Sequence, residues 1–394
     1  MSSNGFRTEY NVGQVFRRFG QEYESNNLMY REQRKSFHAI ASCRTAHLGG
    51  HLEECKNCGH ERPNYNSCGN VNCPMCQGIK RKKWLNLRLE ELLPVSYFHT
   101  IFTLPHSMNE LSRFNQKEIY NLLFRSSAQT LIELSQKHYK ATPAILSTLH
   151  TWGQTLSLHP HVHVLVSSGG LTKDGQWRYG KADYLFDVFE MSKVFKTKFL
   201  SGLKKLYKKG LLTNDQNFEH IYQSMNSCDW VVNCQKPFAG PDKVVEYLSR
   251  YVYRSAIANS RIKSIEGDGI SFDYKDYRDE DENGIPKHKI MKLKPDEFIR
   301  RFLQHILPMG FHRCRFYGIF AGAKRTENLL LCQALFEKKL LLLKQARQNL
   351  TLEEPQKEEC AKCQCSEFVY KKEIHKDRSP PIKFNPSSKR LKYA

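Results

Sequence analysis

Long hydrophobic runs are missing from this sequence of 394 residues. No stretch approaches the ~20 consecutive apolar residues of a membrane-spanning helix, and residues 1–9 lack the apolar core of a signal peptide. Acidic residues are also few, with 40 Asp and Glu against 61 Lys and Arg and a formal net charge of +21. These shortages exclude a membrane protein, argue against secretion, and favour a polyanionic partner.

Cysteine is absent between residues 77 and 227, and the thirteen cysteines make up only about 3 % of the chain. A disulfide scaffold is therefore disfavoured, because such folds are short and dense in cysteine. Several cysteines instead form Cys-x-x-Cys pairs, which are typical of metal binding in a reducing compartment.

A nucleotide-binding loop is lacking as well. Residues 175–182 read GQWRYGKA, which imitates a phosphate-binding loop, but Ala182 stands where a Ser or Thr would hold Mg²⁺. The segment also follows a glycine turn rather than a strand, so we exclude a nucleotide site here.

Composition divides the chain into four regions. Residues 1–90 form a cysteine-rich region, and residues 91–325 alternate strand-like and helix-like segments, which predicts an α+β domain on a mostly antiparallel sheet. Residues 326–350 predict a leucine-rich helix, and residues 351–394 a charged tail that we expect to be largely disordered. The patterns within 91–325 predict strands at 97–104, 151–158, 160–166 and 230–234, and helices at 115–137, 189–209 and 241–258.

Two Cys-x-x-Cys pairs in the first region, Cys55 with Cys58 and Cys73 with Cys76, are separated by 14 residues. This spacing is close to that of a four-cysteine zinc site, in which two turns each present two thiolates to one ion. We expect these four cysteines to bind one structural Zn²⁺, with unrelated free cysteines as the alternative. Residues that could replace a ligand or hold a second ion are Cys43, His47, His51, His60 and Cys68.

The C-terminal cysteines, Cys360, Cys363 and Cys365, form a weaker pattern, with His375 at a distance. Two interpretations of these cysteines remain: they form a degenerate or intermolecular zinc site, or they belong to a plain exposed tail.

Basic residues lie beside two of these motifs. The run at 80–83 follows the cysteine pairs, so we expect the first region to bind a nucleic-acid backbone. The lysines of the predicted helix at 189–209 either contact phosphates or form a solvated face. The residues that we assign to nucleic-acid contact are Lys80, Arg81, Lys82, Lys83, Arg250 and Arg254.

Residues 159–166 read HPHVHVLV. Alternate side chains of a strand share a face, so His161 and His163 should project together while the valines point into a core. Two such imidazoles can bind one divalent ion and leave positions for substrate oxygens. Gln154 could supply an amide oxygen from the preceding predicted strand; its competitors are His150 and His159. The alternative is that the histidines only hydrogen-bond on a half-buried sheet.

The segment at 241–258, PDKVVEYLSRYVYRSAIA, has an apolar stripe at helical spacing. Tyr247 and Tyr251 lie one turn apart on the border of this stripe, with Arg254 alongside. Such a pair suits phosphoryl transfer, because each phenol can attack a phosphodiester while cations neutralise the phosphate. Tyrosines that merely pack at a helix edge are the alternative.

Four of these segments together resemble the HUH endonuclease superfamily, named for its His-hydrophobic-His motif, and in particular its two-tyrosine transposases of the insertion-sequence ninety-one family. In chain order they are NSCGNVNCPMCQ (66–77), FTLP (102–105), WGQTLSLHPHVHVLV (152–166) and YLSRY (247–251). The resemblance implies an HUH-type endonuclease domain with a central, mostly antiparallel sheet flanked by helices, preceded by a zinc-binding DNA-recognition domain.

The resemblance also implies roles for individual residues. His161, His163 and Gln154 would bind a catalytic Mg²⁺ or Mn²⁺. Tyr247 and Tyr251 would be nucleophiles that form 5′-phosphotyrosine links to single-stranded DNA and release a 3′-hydroxyl.

Members of this family move their own element by a rolling-circle-like route. The implied partners are single-stranded DNA at the ends of that element, target DNA, and host replication or helicase functions, because the chain lacks a motor domain. The implied location is the bacterial cytoplasm, in association with the nucleoid. No membrane partner is expected, and the oligomeric state is not predicted.

Two other functions stay open. A plasmid rolling-circle replication initiator or relaxase would share the histidines and a tyrosine but need not carry the cysteine module. A non-catalytic, zinc-dependent nucleic-acid-binding regulator would use the same histidines and tyrosines only for packing.

Overall fold

The computed structural model of the chain describes residues 9–77, 91–235, 237, 254–348, 359–377 and 390–391. Its α-helices are α1 (Val12–Asn26), α2 (Arg31–Ser42), α3 (Asn109–Phe114), α4 (Gln116–Tyr139), α5 (Val188–Lys208), α6 (Phe218–Ser227), α7 (Pro295–Leu303), α8 (Arg325–Leu335) and α9 (Glu337–Gln348). Its strands are β1 (Met29–Tyr30), β2 (Gly50–Cys55), β3 (Glu61–Tyr65), β4 (Tyr97–Thr103), β5 (Ala144–Trp152), β6 (Leu158–Ser167), β7 (Gly169–Leu171), β8 (Trp177–Tyr179), β9 (Val232–Gln235), β10 (Ile262–Glu266), β11 (Gly269–Glu280), β12 (Pro286–Leu293), β13 (Cys314–Gly318), β14 (Phe368–Ile374) and β15 (Arg390–Leu391). Within this described part, no helix combines the length and the apolar character needed to cross a membrane.

A five-stranded antiparallel sheet in the order β13-β5-β6-β4-β9 forms the centre of the fold. Apolar side chains of α4 and α5 pack on one face of this sheet. Val162, Val164 and Val166 of β6 are fully buried there, because alternate residues of a strand point to the same side. The predicted α+β architecture with a mostly antiparallel sheet is confirmed.

The opposite face of the sheet has an apolar half and a polar half. Leu146 of β5 and Leu165 of β6 pack in a second core with residues of α8 and Tyr97. Further along the same strands, the face carries histidines instead of leucines. The apolar half therefore anchors the strands that present the polar half.

Helix α1 begins at a capping box, in which the Asn11 side chain accepts from the backbone N–H of Gln14 and the Gln14 side chain accepts from that of Asn11. Its Phe16 packs on Phe37 of α2, with ring centroids 4.6 Å apart, and on Phe302 of α7 at 5.4 Å. The meander β10-β11-β12 contributes to the same core. The N-terminal helices therefore share a core with segments more than two hundred residues away.

The C-terminal segment returns to the N-terminal region. Strand β14 pairs antiparallel with β2 in a three-stranded sheet of order β14-β2-β3. Residues 359–377 are therefore ordered, whereas we expected a largely disordered tail. The expectation was wrong for these residues because their pairing partner lies some three hundred residues earlier, where local composition gives no sign of it.

Three further expectations differ from the structure. The first strand of the histidine pair is Ala144–Trp152 rather than 151–158, and a turn follows at 153–157. The predicted leucine-rich helix is two helices, α8 and α9, which are interrupted at the buried Phe336. Residues 254–258 of the predicted helix at 241–258 are not helical.

Candidate functional site

Three histidines meet on the polar half of the central sheet. Strands β5 and β6 pair so that His150 lies opposite His161, and His163 follows two residues later on β6. One ring nitrogen of each histidine lies within 4.8 Å of the other two. The ring centroids of His161 and His163 are 4.9 Å apart, and those of His150 and His163 are 4.6 Å apart. This arrangement suits one divalent cation, and we call it the histidine cluster.

Hydrogen bonds orient two of the three rings. Nδ1 of His163 lies 2.9 Å from Nε2 of His99, and Nδ1 of His99 lies 2.9 Å from Oε1 of Gln235. An amide oxygen only accepts, so His99 carries its proton on Nδ1 and accepts at Nε2 from His163. Nδ1 of His161 donates to the carbonyl of His159 at 2.7 Å. In both cluster histidines, the nitrogen that can coordinate a metal is therefore Nε2.

Burial favours the neutral form of His161, His163 and His99. Desolvation lowers the pKa of His161 to about 4, with the charges of His159 and Arg254 adding to the effect. Desolvation also lowers the pKa of His163 well below its usual range and lowers the pKa of His99. Neutral imidazoles keep the lone pair that a metal needs, so His161 and His163 could bind a cation at neutral pH.

The donor set distinguishes between cations. The histidine cluster contains no carboxylate among the residues that the structure describes. Imidazole nitrogen suits first-row transition metals, whereas Mg²⁺ prefers oxygen ligands and retains several waters. The three residues therefore fit Mn²⁺ better than Mg²⁺.

Gln154 and His150 were alternatives for the third ligand. The structure brings His150 into the histidine cluster. Gln154 lies in the turn after β5, where its backbone carbonyl accepts a hydrogen bond of 2.5 Å from Nη2 of Arg261. His159, the other competitor, lies outside the cluster, with its ring 5.2 Å from that of His161. His150 was named as a competitor, but the predicted strand began at residue 151, so the place of His150 opposite His161 could not be read from the sequence.

Arg254 is the first residue after a segment that lies outside the described residues. Its charge contributes to the lowered pKa values of His161 and His163. Its backbone carbonyl accepts a hydrogen bond of 3.1 Å from Nη1 of Arg313, whose guanidinium lies 5.4 Å from the ring centroid of Trp152. Arg313 therefore holds the Arg254 backbone beside the end of β5. The predicted site residues outside the described part are Lys80, Arg81, Lys82, Lys83, Tyr247, Arg250 and Tyr251.

Eight cysteines, six N-terminal and two C-terminal, form two groups of four. The first cysteine cluster is Cys43, Cys68, Cys73 and Cys76, with sulfur atoms of Cys43 and Cys68 each 3.6 Å from that of Cys76. The second cysteine cluster consists of Cys55, Cys58, Cys360 and Cys363. The two pairs that we expected to share one ion are therefore separated, and each is completed by other cysteines.

The antiparallel hairpin β2-β3 explains this separation. Cys55 and Cys58 lie at its turn, whereas Cys43 and Cys68 lie at its open end, before β2 and after β3. Strands of five or six residues rise about 3.4 Å per residue, so the two ends are roughly 17 Å apart. One zinc ion cannot bind both pairs. Cys43 and Cys68 were recognised only as spare candidates, and the C-terminal partners were left undecided.

Comparison with known proteins identifies the class of protein to which this chain belongs. Residues 144–328 match the family model described as putative transposase, and residues 15–104 match that described as transposase zinc-binding domain. The putative transposase y4qJ of Sinorhizobium fredii is 41% identical over 337 residues, which cover 82% of this chain and 83% of that protein. The transposase for insertion sequence element IS801 of Pseudomonas savastanoi pv. phaseolicola is 26% identical over 292 residues, 72% of this chain and 69% of that one. No solved structure matches the chain.

The α+β fold, the cysteine clusters and these matches define a transposase, an enzyme of DNA transposition with an N-terminal zinc-binding domain. More specifically, the chain belongs to the insertion-sequence ninety-one family of transposases.

Proposed function

We propose that this transposase cuts and rejoins single-stranded DNA by HUH chemistry in rolling-circle-like transposition. Tyr247 and Tyr251 are the nucleophiles, and His150, His161 and His163 hold a divalent cation. The observation that carries the proposal is the cluster of three imidazoles on a five-stranded antiparallel sheet.

The chain that bears the tyrosines is attached beside the histidine cluster at both ends. Gln235, before this segment, contacts His99 behind the cluster, and Arg254, after it, lies close enough to influence the pKa of His161. Tyr251 precedes Arg254 by only three residues in the sequence. This closeness along the chain supports a role for Tyr251 at the cluster.

The reaction exchanges one phosphodiester bond for another. The hydroxyl of a tyrosine attacks the phosphorus, the bond from phosphorus to the 3′ oxygen breaks, and that oxygen leaves as a 3′-hydroxyl with the proton that the tyrosine lost. The 5′ phosphate stays on the tyrosine, and a later 3′-hydroxyl reverses the step without external energy. A cation bound by the histidines would polarise the phosphate oxygens.

Basic side chains support binding of the DNA backbone. Arg254 is exposed beside the histidine cluster, and exposed lysines lie along α5 and directly after it. Lys196 and Lys198 of this helix are engaged within the protein, by carbonyls of Asn226 and Cys228 and by Glu133 respectively. The exposed lysines that can contact phosphates are Lys193, Lys204, Lys205, Lys208 and Lys209.

The proposed partners are single-stranded DNA from the ends of the element and target DNA, in the bacterial cytoplasm near the nucleoid. Strand separation falls to host replication or helicase functions. Two tyrosines allow two consecutive cleavages, so one molecule can hold one strand while it cuts a second.

Formation of a covalent DNA adduct tests this proposal. The full-length protein is incubated with Mn²⁺ and single-stranded oligonucleotides from the ends of its own element, and the products are separated on a denaturing gel. We expect a protein–DNA adduct that the double variant Tyr247→Phe, Tyr251→Phe no longer forms. The matched control is Tyr277→Phe, because Tyr277 is an exposed tyrosine on β11. The proposal fails if the wild type forms no adduct, as a non-catalytic regulator would, or if the double variant still forms it.

A further inference from the structure

The second cysteine cluster joins the two ends of the chain. Sγ of Cys55 lies 3.5 Å from that of Cys363, and Sγ of Cys58 lies 3.6 Å from that of Cys360. The four sulfur atoms lie within 4.8 Å of one another. Half of the cluster belongs to the β2-β3 hairpin, and the other half lies outside residues 15–104, the match to the zinc-binding domain.

The distances identify the chemistry of this cluster. A disulfide would require sulfur atoms about 2.05 Å apart, and all four cysteines are free. Four thiolates at about 2.3 Å from a tetrahedral zinc ion are separated by roughly 3.8 Å. The observed separations of 3.5 and 3.6 Å are close to this value. The cluster therefore has the dimensions of a closed tetrathiolate site.

The two Cys-x-x-Cys turns have the same backbone geometry. In each, the N–H of the first cysteine, Cys55 or Cys360, donates to the carbonyl five residues later, and the N–H four residues later donates to the carbonyl of that cysteine. These four hydrogen bonds measure 2.8 to 3.0 Å. The residue four positions after the first cysteine has a positive φ in both turns, +68° at Gly59 and +59° at Gln364. A left-handed glutamine is uncommon, and its presence shows that the C-terminal turn is held in the same shape as the first.

Side-chain contacts join the C-terminal segment to the β2-β3 hairpin, but each of them contributes little to its stability there. Lys371 of β14 forms ion pairs with Glu54 and Glu61, and the guanidinium of Arg62 lies 3.5 Å from the ring centroid of Phe368. Exposed ion pairs contribute only about 0 to 1 kcal/mol each. Strand β14 also pairs with β2 through backbone hydrogen bonds, and a metal ion bound by cysteines of both segments would add a further link.

We propose that Cys55, Cys58, Cys360 and Cys363 bind a second structural zinc ion, which clamps residues 359–377 onto the N-terminal hairpin. All four positions of the ion are filled by protein thiolates, so this zinc site orders the chain and performs no chemistry. The clamp covers the edge of β2 with β14 and makes the C-terminal segment part of the zinc-binding module. This inference is independent of the proposed cleavage reaction.

Zinc content tests the clamp. We expect the folded double variant Cys360→Ser, Cys363→Ser to contain one zinc ion per chain fewer than the wild type by plasma mass spectrometry. The matched control is Cys365→Ser, which alters a cysteine in the same turn that lies outside the cluster and should keep the wild-type zinc content. An unchanged zinc content in the double variant overturns the proposal.

Thiol labelling tests it on the wild-type protein, so that the result does not depend on a variant folding. Native protein is treated with iodoacetamide and digested, and the labelled cysteines are identified by mass spectrometry. We expect Cys360 and Cys363 to be protected and Cys365 to be labelled, with the protection lost after a chelator is added. Equal labelling of all three without a chelator overturns the proposal.

Discussion

Nε2 of His99 lies 2.9 Å from Nδ1 of His163, and the two rings are within 8° of parallel. His99 is on β4, between β6, which carries His163, and β9, which carries Gln235. Three adjacent strands thus act together to set the tautomer and orientation of one ring of the histidine cluster. Under the proposed function, His99 is a positioning residue for the metal ligand His163, and no local motif marks it in the sequence.

His99→Ala should weaken binding of Mn²⁺ to the histidine cluster by about 10- to 100-fold, because loss of a partner behind a metal-binding histidine usually has this effect. Titration calorimetry with Mn²⁺ measures the affinity, and circular dichroism checks the fold. His220→Ala, an exposed histidine on α6, is the matched control and should bind as the wild type does. Wild-type affinity in His99→Ala would contradict the positioning role.

His150→Ala and Gln154→Ala distinguish the two candidates for the third ligand. His150 lies within the histidine cluster, so its loss should weaken Mn²⁺ binding by at least 10-fold. Gln154→Ala keeps the backbone carbonyl that Arg261 uses, and its Mn²⁺ affinity should change little. If Gln154→Ala weakened Mn²⁺ binding more than His150→Ala in the same titration, the third ligand would be the side-chain amide of Gln154.

His305 should make the protein sensitive to mild acid. Its Nε2 donates to the carbonyl of Leu156 and its Nδ1 accepts from Thr151, each at 3.1 Å, so the buried ring is satisfied while neutral. Burial lowers the pKa of His305 to about 3. Below about pH 6.5 the unfolded chain binds a proton at this histidine and the folded chain does not. The free energy of unfolding therefore decreases as the pH is lowered, until the pH reaches the pKa of His305 in the folded state.

This residue should account for about 2 kcal/mol of stability lost between pH 6.5 and pH 5. His161 and His163 act in the same direction in metal-free protein. Urea unfolding at both pH values measures the effect, and His305→Gln should reduce the difference between them. The same pH dependence in the variant and the wild type would show that His305 does not cause it.

Phe16→Ala should destabilise the fold by about 3 to 5 kcal/mol, because Phe16 is fully buried between α2 and α7. Hydrogen exchange should rise in α7 as well as in α1, since both helices share this core. Phe189→Ala is the matched control: Phe189 is 81% exposed and its loss should cost less than about 0.5 kcal/mol. Unchanged exchange in α7 would argue against a shared core.

The sequence revealed what depends on local spacing. His161 and His163 could be placed on one face because a strand alternates every second residue, and Val162 and Val164 are buried as the same rule requires. His150 joins them through cross-strand register, which depends on where the turn at 153–157 begins. Likewise, Cys-x-x-Cys spacing predicts that Cys55 is a metal ligand, but the choice of its partners depends on the length of a hairpin and on a strand from the other end of the chain.

The site of covalent attachment tests the central claim most directly. Protein incubated with an oligonucleotide from its element's end is digested with protease and nuclease, and the nucleotide-bearing peptide is sequenced by mass spectrometry. The account predicts a 5′-phosphate on Tyr247 or Tyr251, formed with Mn²⁺ and absent from His163→Ala. Attachment to any other residue, or attachment to these tyrosines that persists in His163→Ala, would contradict it.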